Sequence, residues 1–113
     1  MSEPAFSLFV TLKFSDSQFK EDFLRDIALV ATHVRNSEPD TLSYEVLLSD
    51  KDDLTVVVME RYRDKEHAFL RVHRNSQPFQ EFRPKLKAMQ DDGKVTISGE
   101  SFLDSGIGFG DRA

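Results

Sequence analysis

The 113-residue chain has no cysteine and no tryptophan. Without cysteine there is no disulfide, zinc ribbon, iron–sulfur cluster or thiol nucleophile. That usage fits a reducing compartment, and a cytoplasmic location is the expectation. No apolar run approaches the roughly 20 residues a membrane span needs. The opening MSEPAFSLFV has neither the basic start nor the long apolar stretch of a secretory signal. A soluble protein without a membrane partner is expected. Positive charge is also short: 15 Lys and Arg stand against 20 Asp and Glu, for a net charge of −5. The basic residues are dispersed among acids, as in RDKEH, and the small cluster in RVHRN and FRPKLK reads as a solvated helix face. Nucleic acid is therefore not expected as a partner.

Phenylalanine is abundant instead, with ten residues in a composition that is 39% hydrophobic and 31% charged. The length suits one domain, 1–113, with a core over about 6–102 and a tail at 103–113. Such a domain buries enough surface to fold without a disulfide or metal. Phenylalanine gives large burial with no polar handle, so a Phe-rich core or an apolar pocket should follow.

FSLFVTLKF (Phe6–Phe14) alternates, with Phe6, Leu8, Val10, Leu12 and Phe14 on one face, and predicts a strand. Ser15, Asp16 and Ser17 are cap types. Phe19, Phe23, Ile27, Val30, Ala31 and Val34 then recur at helical spacing, up to about Asn36. Leu42, Tyr44, Val46 and Leu48 share a face of a second strand, DKDD is a turn, and Leu54–Arg63 is a third strand. Asp64 caps a helix over Lys65–Arg74. Ser76 starts another, which Pro84 should kink or split. Asp92-Gly93 is a turn, and Lys94–Phe102 a last strand in which Gly99 marks a bulge.

This order, βαββαβ, is the ferredoxin-like α+β pattern, an antiparallel sheet covered by helices on one face. The other face keeps Phe9, Leu47, Val57 and Met59. So much apolar surface calls for a partner, and a homodimer through the open face is the physical expectation. The tail SGIGFGDRA is not set between a strand and a helix, so it is no phosphate cradle. A flexible arm, or one lying on the partner, is expected.

None of His33, His67 and His73 has a second His or a Cys at ligand spacing, so no metal site is expected. No serine sits in a nucleophile elbow. His73, one turn after Phe69, is the best single candidate. Pattern alone favours a half-buried histidine bonded to a carbonyl or to Ser76. The sharper reading is a base at the rim of an apolar pocket, since imidazole titrates near neutral pH. Tyr62 and Glu60 share a strand face, and Glu60 should be buried only with a partner such as Arg61, Arg63 or Arg83. Tyr44 can offer a hydroxyl inside a cavity, and Arg83 can meet an anion. His33, near a helix C-terminus, is given no function.

Three motifs carry a resemblance. Glu38, Pro39, Leu42, Tyr44 and Glu45 start the hairpin; Glu60, Tyr62, Asp64 and Ala68 end it; His73, Ser76 and Phe79 follow. In this order the chain, over about Phe6 to Phe102, resembles the antibiotic biosynthesis monooxygenase domain family. The resemblance implies a dimeric α+β barrel. It also implies cofactor-independent oxygenation of a small quinol- or anthrone-like aromatic, with His73, Tyr62 and Tyr44 catalytic and Phe69, Phe79, Phe82, Glu60 and Arg83 around the substrate. Other members of the superfamily degrade haem or isomerise sugar phosphates, and a non-catalytic ligand-binding or stress-linked dimer is the remaining alternative. Tyr62 stands where many members carry Trp, and the first strand lacks the Asn of haem-degrading relatives, which points away from haem.

Overall fold

A computed structural model describes residues 3–110; residues 1–2 and the tail's last three, 111–113, lie outside the described residues. Four strands form one antiparallel sheet: β1 Phe6–Phe14, β2 Thr41–Leu48, β3 Thr55–Tyr62 and β4 Val95–Leu103, in the order β2-β3-β1-β4. Three helices connect them: α1 Ser17–Ser37, α2 Lys65–His73 and α3 Gln77–Asp91. This is the ferredoxin-like α+β arrangement.

Alternation explains the sheet. Leu12 and Phe14 of β1, Val56 and Val58 of β3 and Val95 of β4 point to one face. Phe23, Ile27, Val30 and Val34 of α1 cover them, with Phe82 and Leu86 of α3. The rings of Phe14, Phe23 and Phe82 link sheet to both helices, at 5.4 and 5.8 Å between centroids. On the opposite face Phe9 and Phe102 meet edge to face and stay exposed, together with Leu47.

The helix ends follow local chemistry. Asp16 accepts the Gln18 N–H at 2.8 Å and starts α1. Gly93, at φ +74°, ends α3 in a left-handed turn, with Gly93 N–H donating to Gln90 O and Lys94 N–H to Met89 O.

Several details depart from the sequence reading. Helix α3 runs unbroken through Pro84, which lies on the exposed side, where water can serve the carbonyl left unbonded. Gly99 marks no bulge: β1–β4 pairing is continuous, with Val10 opposite Gly99. The irregularity lies in β2, between Thr41 and Ser43, and leaves Leu42 exposed. Leu48 keeps its register but is uncovered at the sheet edge. Finally, the 65–73 segment winds as a π-helix, with Arg74 N–H donating to Phe69 O. Such windings are rare and recur at functional sites.

Candidate active site

Along β3, inward-facing residues change character. Val56 and Val58 belong to the apolar core, whereas Glu60 and Tyr62 are equally buried and polar. Tyr62 donates its hydroxyl hydrogen bond to Glu60 Oε1. Asp64 accepts from His67 N–H and Ala68 N–H and so starts α2 against the end of β3. The wide winding of α2 then brings His73 inward with Phe69, their rings stacked at 6.3 Å. Ser76 holds the following turn, its Oγ donating to His73 O at 2.9 Å.

His73 is 0% exposed, not half-buried. Rings surround it: Phe79 at 5.0 Å, Tyr44 at 5.4 Å and Tyr62 at 5.5 Å between centroids. Its Nδ1 lies 3.0 Å from Glu38 Oε1, which corrects the expected carbonyl or Ser76 partner. Nδ1–H donates to that carboxylate, so Nε2 carries the lone pair. Among the described residues Nε2 has no hydrogen-bond partner, and it faces Glu60 Oε1 at 3.9 Å. Glu38 is itself buried, and its second oxygen lies 3.2 Å from Nε2 of His33.

Glu38 was not singled out for chemistry by sequence reasoning. A signal was present: it caps the C-terminus of α1, where the helix dipole disfavours an acid, so it needs a cationic or donor partner. The arginines expected to neutralise Glu60 do not reach it. Arg61 pairs with Asp104 at 3.2 Å and Arg63 with Asp40 at 3.0 Å, while Arg83 is one of the residues lining the cavity. Alternation along β3 turns Arg61 away from the face that Glu60 shares with Tyr62.

A cavity of about 320 Å³ opens between the sheet and helices α2 and α3. Phe69, Phe79 and Phe82 wall it, Leu8 and Val10 form part of its floor, and Gly99 leaves room beside Val10. Its polar lining includes Glu60 and Tyr44, with Arg74 and Arg83 on the α2–α3 side. His73 and Tyr62 lie behind this wall and reach it through Glu60. The sequence candidates are therefore gathered in one place but in two layers.

Burial governs the titration of this group. Loss of water pushes Glu60 up to about 7; the Tyr62 hydrogen bond opposes this and the Glu38 charge adds to it. Burial pushes His73 down, against the pull of Glu38. Tyr44 and Tyr62 are held protonated, first by burial and then by the neighbouring carboxylates. The site thus joins a carboxyl poised near neutrality to a neutral imidazole at the edge of an apolar space. Among the described residues no three His, Asp or Glu side chains converge as a metal ion requires, and no helix is long and apolar enough to cross a membrane.

Comparison with known proteins places this architecture. Among solved structures, a Caulobacter crescentus protein provisionally assigned as an antibiotic biosynthesis monooxygenase superposes with a TM-score of 0.74 at 18% identity, over 90% of this chain and 91% of that one. SnoaB, a cofactor-independent oxygenase from Streptomyces nogalater, gives 0.69 at 16% identity, over 89% and 93%. A conserved Methanosarcina mazei protein gives 0.74 at 14%, over 91% and 95%. At these identities the likeness is one of fold. No curated protein sequence matches the chain. The family model for antibiotic biosynthesis monooxygenases matches residues 8–85, from β1 through the cavity wall into α3. By that match the chain belongs to the antibiotic biosynthesis monooxygenase family.

Proposed function

We propose that the protein is a cofactor-independent monooxygenase for a small, electron-rich aromatic of the quinol or anthrone class. One observation carries the reading: Glu60, a buried carboxyl pushed up to about 7, forms part of the wall of a phenylalanine-lined cavity. A general base works best with its pKa near the working pH. The cavity's size lies at the small end of the roughly 300–1,000 Å³ usual for small-molecule sites.

The chemistry asks little of the protein. Glu60 takes a proton from the bound aromatic, and the electron-rich anion reduces dioxygen itself. For an anthrone, the ring methylene and one dioxygen become a carbonyl and one water. The methylene carbon loses four electrons and its two hydrogens, dioxygen gains the four electrons, and the two hydrogens leave in the water. Phe69, Phe79 and Phe82 hold the rings in a dry space, which strengthens every polar contact inside it. The Tyr44 hydroxyl orients the substrate oxygen. Tyr62 and His73 act through Glu60, one donating to it and the other facing it with a lone pair. Arg74 and Arg83 have no carboxylate partner among the described residues, so either can meet developing oxyanion charge or an acidic substituent.

The same reading pairs two copies through the exposed sheet face of Phe9, Leu47 and Phe102. Met59→Glu on that face should convert a dimer to a monomer in sedimentation.

The test is oxygen uptake with a panel of anthrones and hydroquinones and no added cofactor, parent against Glu60→Gln and His73→Ala. Uptake above the spontaneous rate that is lost in the variants supports the proposal. Tight binding of an aromatic with no uptake would instead favour a binding protein of the same fold.

A further inference from the structure

The polar side chains behind the cavity do not stop at His73. They continue to the protein surface. One carboxylate, Glu38, spans two imidazoles: Oε1 is hydrogen-bonded to Nδ1 of the buried His73 at 3.0 Å, and Oε2 lies 3.2 Å from Nε2 of His33, an ion-pair contact without hydrogen-bond geometry. The His33 side chain is 29% exposed, and Glu38 also lines a groove on the outer side of α1 and β2. Tyr44 lines both that groove and the cavity. On the inner side the unpartnered Nε2 of His73 faces Glu60 Oε1 at 3.9 Å.

A structural histidine would not need this arrangement. Capping His73 requires one acceptor, and a backbone carbonyl would serve without burying a carboxylate at a helix C-terminus. The orphaned Nε2 is also costly unless it is used. The titratable and charged groups around His73 are His33 from α1 and Glu38 at its C-cap, Tyr44 from β2, Glu60 and Tyr62 from β3, and Arg74 after α2. Neither tyrosine releases a proton near neutrality, so the acid–base path runs through Glu60, His73, Glu38 and His33.

We propose that Glu60, His73, Glu38 and His33 form a proton relay joining the cavity to solvent on the far side of α1. It rests on the reading of Glu60 as the base, and it assigns His73, Glu38 and His33 as positioning and relay residues that do not touch substrate. Glu60 receives the substrate proton. The carboxyl then turns from Tyr62 toward His73 and closes the 3.9 Å gap. It passes the proton to Nε2, while the Nδ1 proton moves to Glu38 Oε1; the Glu38 carboxyl turns to offer that proton to His33 Nε2, and His33 releases its Nδ1 proton to water. His73, like His33, is left with its proton on the other nitrogen. The reaction described above restores both: forming water from the reduced dioxygen takes protons back, so the relay runs inward in the second half and the tautomers reset. No net proton is lost.

The experiment has two arms. The first needs no substrate: solvent exchange of the His73 ring proton, followed by NMR on histidine-labelled full-length protein. A proton in a 0% exposed ring should exchange only on opening unless a relay carries it. The expected result is fast exchange in the parent, slowed about tenfold or more in His33→Ala and in Glu38→Gln. Parent exchange as slow as the core amides, or unchanged rates in both variants, overturns the relay. The second arm is oxygen uptake in weak buffer. His33→Ala should be slowed and recover in added imidazole, a rescue that a merely structural role would not give; an unaffected rate in His33→Ala overturns the relay. If the parent takes up no oxygen, the monooxygenase reading fails, and the exchange arm still decides the relay.

Discussion

Two pairs of residues on one strand tell most about this molecule. Val56 and Val58 of β3 are 0% and 3% exposed; Glu60 and Tyr62, next on the same face, are 6% and 0% exposed. Burial is equal, yet the two halves of the strand serve different ends. Around the valines, Leu12, Phe14, Phe23 and Ile27 form the apolar core that holds sheet to helix, and Val58, Leu12, Phe23 and Ile27 also form the apolar end of the cavity. Around Glu60 the same depth holds a carboxyl, the His73 imidazole and the Tyr62 phenol, and His73 Nε2 is left without a hydrogen bond among the described residues. A buried polar group without full partners costs stability. That cost is borne at the polar end of the cavity and not at its apolar end, which marks the polar end as the functional one.

Substitutions can separate the two ends, and the largest effect should come from the apolar one. Phe14→Ala removes a ring packed at 5.4 Å on Phe23 and should lose about 3–5 kcal/mol in urea denaturation. Activity per folded molecule should be largely retained, because Phe14 does not itself line the cavity and meets it only through Phe23.

At the polar end, His73→Ala strands the Glu38 carboxylate and should cost nearly as much, about 3–5 kcal/mol. The sharper variant is the double change His73→Phe with Glu38→Leu. It removes both buried partners and should restore much of the stability, measured in the same titration, while oxygen uptake stays lost. Had the pair been there for stability, the double variant would be no better than the single one.

Glu60→Gln comes next. The folded state raises Glu60 from 4.5 to about 7, so the folded protein holds a proton there that the unfolded chain has released. The stability linked to this group is full below about pH 4.5, declines as pH rises, and is lost above about 7. Glu60→Gln should therefore gain on the parent at alkaline pH, on the order of 3 kcal/mol at most. His73, pushed down by burial, acts oppositely, costing stability as pH falls below its ordinary 6.5. Melting curves of parent and variant between about pH 4 and 9 measure the difference.

Gly99→Leu should change stability least. A Cβ added at Gly99 meets no atom within 4 Å, and replacing a strand glycine tends to help by roughly 0.5–1 kcal/mol. The leucine would occupy the cavity, so affinity for an aromatic probe should fall while the melting temperature holds or rises.

The valine end of β3 was legible in sequence because burial there leaves a two-residue alternation, and the same kind of periodicity marked the strand set, the helix α1 and the βαββαβ order. The polar end was legible only in pieces. His73, Glu60, Tyr62 and Tyr44 stood out as residue types, but their layering did not, since Glu38 reaches His73 across 35 positions of chain. The π winding of α2 has no propensity signal, and an ordinary helical turn placed His73 merely half inside. Pro84 and Gly99 were read by local rules. Tertiary packing overrode both, keeping the helix unbroken and using the missing side chain as space.

Everything proposed for the cavity turns on Glu60 as its base. The most direct measurement is the pH profile of oxygen uptake with an anthrone, cofactor-free, in the parent and in Glu60→Gln. The parent rate should rise through about pH 7, as Glu60 loses its proton. The variant should lose roughly 10²–10⁴-fold in rate. Equal rates, or the same pH dependence in both proteins, would contradict the assignment of Glu60 as the base.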